Sequence, residues 1–402
     1  MPTVRLGRLA TVVALCMIMS ATVALLWLKF GPGIGGVAAG LIGSALVTLI
    51  YNPMMRILDP SNSVTIRSIV SLSQSLVFAI STVVLTSFLV NQLTLKTISA
   101  KPFRNITLQN VEGRMNMNTV AFNGDSYLAA GTYRPPGDTQ DYLDAAMWES
   151  SNGWSWNRIP HDHNILGGTA TSDGRVVKRY ISSVTADEDG WTAYGWDTAG
   201  DSPASHPAVW RLPRGSTSVE NAFGVSLPEA SAVMDFCKSK ESTLVVASHV
   251  DCYTIKRSTN DGGWETVLSP GKNAQIRSLK YSKGLWMAAG SDSSSDPDSR
   301  TKDEWNDDAA IWYSTDGNDW TQATGLGGQP GSQDLWDVSE HDGLWVGVGS
   351  DDYGDRKQMD VAIWTSYDGK EWVRLQTPEL DGVAAWQEMR GITWGKNGWL
   401  VV

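Results

Sequence analysis

An aromatic residue followed by three small or apolar residues and a glycine recurs at Tyr127-Leu-Ala-Ala-Gly131, Trp191-Thr-Ala-Tyr-Gly195, Trp286-Met-Ala-Ala-Gly290 and Trp345-Val-Gly-Val-Gly349. "TLVVAS" from Thr243 is a weaker copy, and "WLVV" from Trp399 begins another, which makes six units. A unit repeated this often buries its apolar face against its neighbours, so the fold is an array of similar pieces. The array occupies residues 116–402.

A second landmark follows the first at "AAMWESSNGWSW" from Ala145, "PAVWRLPRG" from Pro207, "AAIWYSTDGNDW" from Ala309 and "VAIWTSYDGKEW" from Val361. Three copies keep one spacing. Trp148, Trp312 and Trp364 stand two residues before Ser150, Ser314 and Ser366, four before Asn152, Asp316 and Asp368, and eight before Trp156, Trp320 and Trp372. "KRSTNDGGW" from Lys256 is a degenerate copy. Apolar and polar residues alternate through these runs, which predicts strands, and Asp-Gly or Asn-Gly supplies a tight turn. Each unit is therefore expected to be a four-stranded antiparallel blade. Strand A is a run such as "IRSLKYS" from Ile276, strand B is the first landmark, strand C is "AAIWYS", and strand D starts at the second tryptophan.

In the turn between C and D, the Asp or Asn side chain accepts backbone N–H groups and Gly153, Gly317 and Gly369 take the left-handed conformation. The tryptophan packs between sheets. These roles are structural. Repeated radially, such blades close into an all-β propeller with short, protected edges. Six units are expected, the last incomplete because "WLVV" stops in its strand B. The segment 103–112, "FRNITLQNVE", is expected to form a strand in that last blade and seal the ring.

The Ser-x-Asp-Gly-x-x-Trp stretch resembles the Asp-box, or bacterial neuraminidase repeat, of sialidase-like propellers. The resemblance implies the fold. A sialidase would further imply three arginines on the substrate carboxylate, a Tyr/Glu pair, an acid Asp and an Arg-Ile-Pro motif before the first box. Arg158-Ile159-Pro160 instead follows the first box, where it closes a blade, and Arg175, Arg277 and Arg390 form no pattern that assigns a triad. Catalysis is accordingly not expected.

Residues 1–95 read as a membrane anchor. Leu9 to Leu28, Phe30 to Tyr51 and Ser68 to Leu95 carry no charge, and each is long enough to cross a bilayer as a helix. Arg5, Arg8, Arg56 and Arg67 put the N-terminus in the cytoplasm and the C-terminal propeller outside, across a linker at 96–115. Of 43 acids and 32 bases, residues 1–95 hold one and five, which leaves 42 and 27 outside and a net charge of −15. Such a surface repels nucleic acid. Cys237 and Cys252 face an oxidising compartment, but they fall at opposite ends of one blade and are expected to stay unbonded.

The loops between strands B and C are acidic and aromatic. Asp292, Asp296, Asp298, Trp305, Asp307 and Asp308 belong to one, and Asp351, Asp352, Tyr353 and Asp355 to another. Carboxylates accept sugar hydroxyls or hold Ca²⁺, and rings stack on sugar faces. A binding module for glycan, cation or protein is expected, with Ca²⁺ the candidate cofactor. A cell-surface glycoside hydrolase and a structural subunit of a membrane complex are the alternatives. His161 and His163 form "HDH", a candidate metal pair expected instead to be solvated loop histidines. Protease added to intact cells should release the propeller while the N-terminus stays protected; the reverse pattern would overturn the topology.

Overall fold

In the computed structural model, the described residues are 113–136, 144–167, 176–198, 205–222, 229–249, 252–293, 307–327, 331–352, 359–376 and 387–402. The three expected spans and the strand at 103–112 lie outside them. No helix among the described residues is long and apolar enough to cross a membrane.

The described chain is an array of antiparallel meanders. Blade 1 holds β1 (Arg114–Phe122), β2 (Tyr127–Arg134), β3 (Asp144–Ser150) and β4 (Asn157–Arg158), and is followed by the short helix α1 (His163–Leu166). Blade 2 holds β5 (Arg179–Asp187), β6 (Gly190–Asp197), β7 (His206–Pro213) and β8 (Glu220–Asn221). Blade 3 holds β9 (Ala232–Lys238), β10 (Thr243–Ser248), β11 (Tyr253–Ser258) and β12 (Trp264–Leu268). Blade 4 holds β13 (Ala274–Ser282), β14 (Leu285–Asp292), β15 (Asp308–Ser314) and β16 (Thr321–Gln322). Blade 5 holds β17 (Gln333–His341), β18 (Leu344–Asp351), β19 (Asp360–Ser366) and β20 (Val373–Arg374). A two-stranded hairpin, β21 (Ile392–Gly395) and β22 (Gly398–Val401), comes last. Five complete sheets and a hairpin make a β-propeller.

The hairpin closes the ring, because β21 packs on β17 of blade 5 and on β1 of blade 1. Lys396 Nζ donates to the Asp125 carbonyl at 2.7 Å and Asn397 Nδ2 to the Asn152 carbonyl at 3.1 Å. Ile392 joins Val346, Val348 and Ile363 of blade 5 in one buried cluster.

The core lies between sheets. Leu128, Met147, Ile159, Ile181, Trp191 and Trp210 fill the space between blades 1 and 2, and Met287, Ile311, Leu335, Trp345, Trp364 and Trp372 that between blades 4 and 5. A buried aromatic ring removes roughly 150–250 Å² from water. At about 25 cal/mol per Å² that is several kcal/mol per ring, more than the ~1 kcal/mol net of a hydrogen bond. Apolar burial therefore holds blades together, and hydrogen bonds set their register.

The repeated glycine has a steric cause. Each strand A carries a bulge, at Met117/Thr119, Ile181/Ser183, Ile276/Ser278 and Leu335/Asp337, and the glycine pairs with the residue entering it. A Cβ at Gly195, Gly290 or Gly349 would stand 1.9, 1.8 or 1.8 Å from the carbonyl oxygen of Tyr180, Gln275 or Asp334. In blade 3 the bulge at Val233/Asp235 pairs in the same way, but Ala247 takes the glycine's place, which is why that copy is weak.

The box turns form as the sequence reading expects. Asp316 Oδ1 accepts Asn318 N at 2.8 Å, Asp319 N at 2.9 Å and Ser314 Oγ at 2.8 Å, while Gly317 N donates to Ser314 Oγ at 2.9 Å. Asn152 and Asp368 accept the equivalent groups with Ser150 and Ser366. Gly153, Gly317 and Gly369 have φ of 75°, 74° and 72°. They sit over Tyr127, Trp286 and Trp345, the aromatics that begin strand B, so the two landmarks of each unit touch. Trp156 and Trp372 donate Nε1 to the carbonyls of Gly153 and Gly369, both at 3.1 Å. Trp320 Nε1 has no such partner, although its ring packs on the core between blades 3 and 4.

Cys237 and Cys252 are free. Cys237 pairs with Leu244 at one end of β10, while Cys252 precedes Tyr253 at the other. Burial first, and then the Asp235 carboxylate, push the Cys237 thiol up to about 12, which leaves it unreactive at neutral pH.

Gly290→Ala should destabilise the propeller by about 3 kcal/mol in chemical denaturation, because the new methyl meets backbone. Hydrogen bonds from the Asp319 and Asn318 amides, and then from Ser314, lower the Asp316 carboxyl to about 2. Its contribution is thus complete above its ordinary value near 4 and lost as pH falls towards 2. Asp316→Asn, which copies Asn152, should keep the neutral-pH melting temperature and flatten its fall over that range. Asp316→Ala should lower melting at neutral pH.

Candidate functional site in the axial channel

Strand A of every blade lines the axis, and the residues at and after each bulge point into it. The channel is narrow, with a cavity volume of about 30 Å³, and is bounded by Asn118, Tyr180, Ser182, Asp235, Arg277, Lys280, Trp336, Asp337 and Arg390. A polar belt passes from blade to blade around it. Asn118 Nδ2 donates to the Ile181 carbonyl at 3.3 Å, Ser183 Oγ donates to Asp235, and Leu279 N donates to Asp235 Oδ2 at 2.7 Å. Ser278 Oγ donates to Asp337 Oδ1 at 2.6 Å, Ile392 N to Asp337 Oδ2 at 2.9 Å, and Arg390 to Asn118 Oδ1 at 3.4 Å.

Lys280 Nζ lies 3.0 Å from Asp235 and 3.3 Å from Asp337. Burial works to lower the Lys280 ammonium's pKa, but the two carboxylates outweigh it and hold the pKa raised. Burial also raises the Asp337 carboxyl, against the pull of Lys280.

Towards the end where strands B and C diverge, Arg277 and Arg390 both lie over the Trp336 ring, at 3.8 and 4.5 Å from its centre. Arg277 pairs with Asp334 at 3.0 Å and Arg390 with Glu388 at 2.6 Å. Tyr180 stacks on Trp196 at 5.7 Å. Burial, which outweighs the nearby Arg390 and Arg277 charges, raises its hydroxyl. Three buried donors here, Ser182 Oγ, Arg277 Nε and Trp336 Nε1, have no hydrogen-bond partner. Sequence spacing does not group Arg277 with Arg390, and nothing in it marks Tyr180, Ser182 or Trp336. The bulge opposite each repeated glycine was the signal that locates them.

The residues expected in the B–C loops are dispersed. Asp296, Asp298, Trp305, Tyr353 and Asp355 lie outside the described residues. Asp292 and Asp308 face each other across β14 and β15. Asp307 and Asp351 are buried rather than displayed, and Asp351 meets Arg374 at 3.1 Å, because strand B runs two residues past its glycine and draws the acid into the sheet. The Asp352 carboxylate accepts Ser332 N at 2.6 Å. Arg158 covers the Tyr133 ring at 4.1 Å and Ile159 is in the core, so Arg-Ile-Pro here is packing.

The expectation of solvated histidines is corrected for His161 alone, since His163 is exposed. The His161 side chain is only 12% exposed and its Nε2 stands 3.4 Å from Asp144 Oδ2, because Ile159 anchors the preceding segment in the core. His163 packs edge-on against it at 4.6 Å.

No family model and no curated protein matches the chain. Among solved structures, it is similar to an exo-β-1,3-galactanase from Clostridium thermocellum, with a TM-score of 0.42 and 13% identity over 64% of this chain and 60% of that one. An arabinanase from Bacillus subtilis has a TM-score of 0.39 and 13% identity over 63% of this chain and 95% of that one. YCF48 bound to a D1 peptide has a TM-score of 0.34 and 14% identity over 73% and 74%. These likenesses say nothing about this chain's chemistry.

Lys280→Met should destabilise by about 3 kcal/mol at neutral pH, since it strands two buried carboxylates. The loss should shrink on acidification as the Asp337 carboxyl, raised by burial, protonates, as read by urea melts across pH.

Proposed function

We propose that this chain is a glycan-binding propeller, held outside a cell membrane by its N-terminal spans, with the axial mouth at Tyr180, Ser182, Arg277, Trp336 and Arg390 as its recognition centre. The observation that carries this reading is the set of three buried donors without partners in one opening. A buried donor left unpaired costs about 1–3 kcal/mol, so a ligand rich in acceptors gains by entering. The guanidinium charges are already balanced by Asp334 and Glu388. That balance favours an uncharged polar ligand, and sugar hydroxyls and ring oxygens fit it. The Ser-x-Asp-Gly turns support kinship with Asp-box propellers as scaffolds.

A glycoside hydrolase needs two carboxylates facing the sugar. On this axis the pair is Asp235 and Asp337, and both are engaged with Lys280 and neighbouring strands. Recognition without bond cleavage is therefore the reading favoured. The full chain in mild detergent, screened on a glycan panel, should bind a subset. Ser182→Ala and Arg277→Lys should weaken binding roughly tenfold at unchanged melting temperature, a loss of ~1.4 kcal/mol. Absence of binding by folded protein, or release of reducing sugar, would overturn the proposal.

A further inference from the structure

Outside the axial channel, Asp144, His161 and His163 bring three ligand atoms within 4.8 Å of one another. They come from different pieces of chain. Asp144 opens β3, while the histidines follow β4 on the segment that leads into α1. The Asp162 carboxylate accepts Asn164 N at 2.8 Å and caps α1, and Arg179 donates to the Asn164 carbonyl at 2.9 Å, so the turn carrying His163 is held from both sides.

The Asp144 side chain is 5% exposed, and its Oδ1 has no hydrogen-bond partner. His161 Nε2 is buried and likewise without one. Nε2 and Oδ2 are 3.4 Å apart, longer than the ~2.7–2.9 Å of a charge-assisted hydrogen bond. A zinc ion with N and O ligands at about 2.0–2.2 Å has tetrahedral edges of about 3.4 Å, so the spacing is that of two co-ligands.

We propose that Asp144, His161 and His163 bind a divalent first-row transition ion, with Zn²⁺ as the natural occupant. Two imidazoles and one carboxylate select such ions over Ca²⁺, which prefers oxygen ligands alone. Three protein ligands leave the fourth position to water. The ion ties the entry of β3 to the segment joining blade 1 to blade 2, and so stabilises that junction. Arg179 lies near enough to act on Asp144 but pairs with Asp197 at 3.8 Å and with the α1 carbonyls.

The test uses the full chain in mild detergent, stripped with chelator and titrated with Co²⁺ and then Zn²⁺. One equivalent of Co²⁺ should give the intense visible absorption of a tetrahedral N/O site, Zn²⁺ should displace it, and Zn²⁺ should raise the melting temperature. His163→Ala and Asp144→Asn should each weaken Zn²⁺ affinity at least roughly tenfold and abolish the thermal shift. His206→Ala, at an exposed histidine elsewhere, should change neither. If Asp144→Asn does not fold, His163→Ala decides alone. Absent or non-stoichiometric binding, or binding unchanged in His163→Ala, would overturn the site.

Discussion

The propeller depends on a belt of polar contacts between neighbouring inner strands. Strand A of one blade does not pair with strand A of the next, so nothing in the sheets themselves fixes how the blades rotate about the axis. Asn118, Ser183, Asp235, Ser278 and Asp337 do this by reaching across to the following blade, and Arg390 returns the belt to blade 1. Each contact is modest, but around a closed ring every one is constrained by the others. The bulge makes the belt possible, since it turns consecutive side chains inward at the point where the repeated glycine lets strand A approach strand B.

Charge on the axis follows from the same geometry. Asp235 and Asp337 must reach backbone amides of the next blade, which brings two carboxylates into one narrow space. Lys280 lies between them and removes the repulsion that would otherwise open the ring. The inner channel is thereby committed to closure, and the chemistry left over is at its mouth. There the arginines are neutralised and stacked, and the unpartnered donors remain.

Closure by a two-stranded hairpin places unusual weight on small contacts. Gly395 lies against the Tyr127 ring so closely that a Cβ there would stand 2.1 Å from its hydroxyl, and His341 stacks on Trp394 at 3.9 Å. Blades 1 and 5 are joined through these rings and through Ile392, where a complete blade would use a longer strand A.

Much of the blade was legible in the sequence because its cause is local. Tyr127, Trp286 and Trp345 mark strand B, Ser314, Asp316 and Gly317 mark the turn, and each signal touches a partner within its own blade. The spacing of Trp148, Trp312 and Trp364 likewise fixed strand C and its buried face. The axial groups were not legible. Asp235, Lys280 and Asp337 are spread over about a hundred residues, Arg390 meets Asn118 across 272, and they come together only when the ring closes. Asp144 and His161 were separated for a related reason, since the strand that buries one and the return segment that carries the other meet only through β3 and β4 pairing. Repetition therefore determined the unit by itself. Tertiary structure decided what the units face, because a closed ring turns one inner residue from each blade towards a common axis and no local spacing records that convergence.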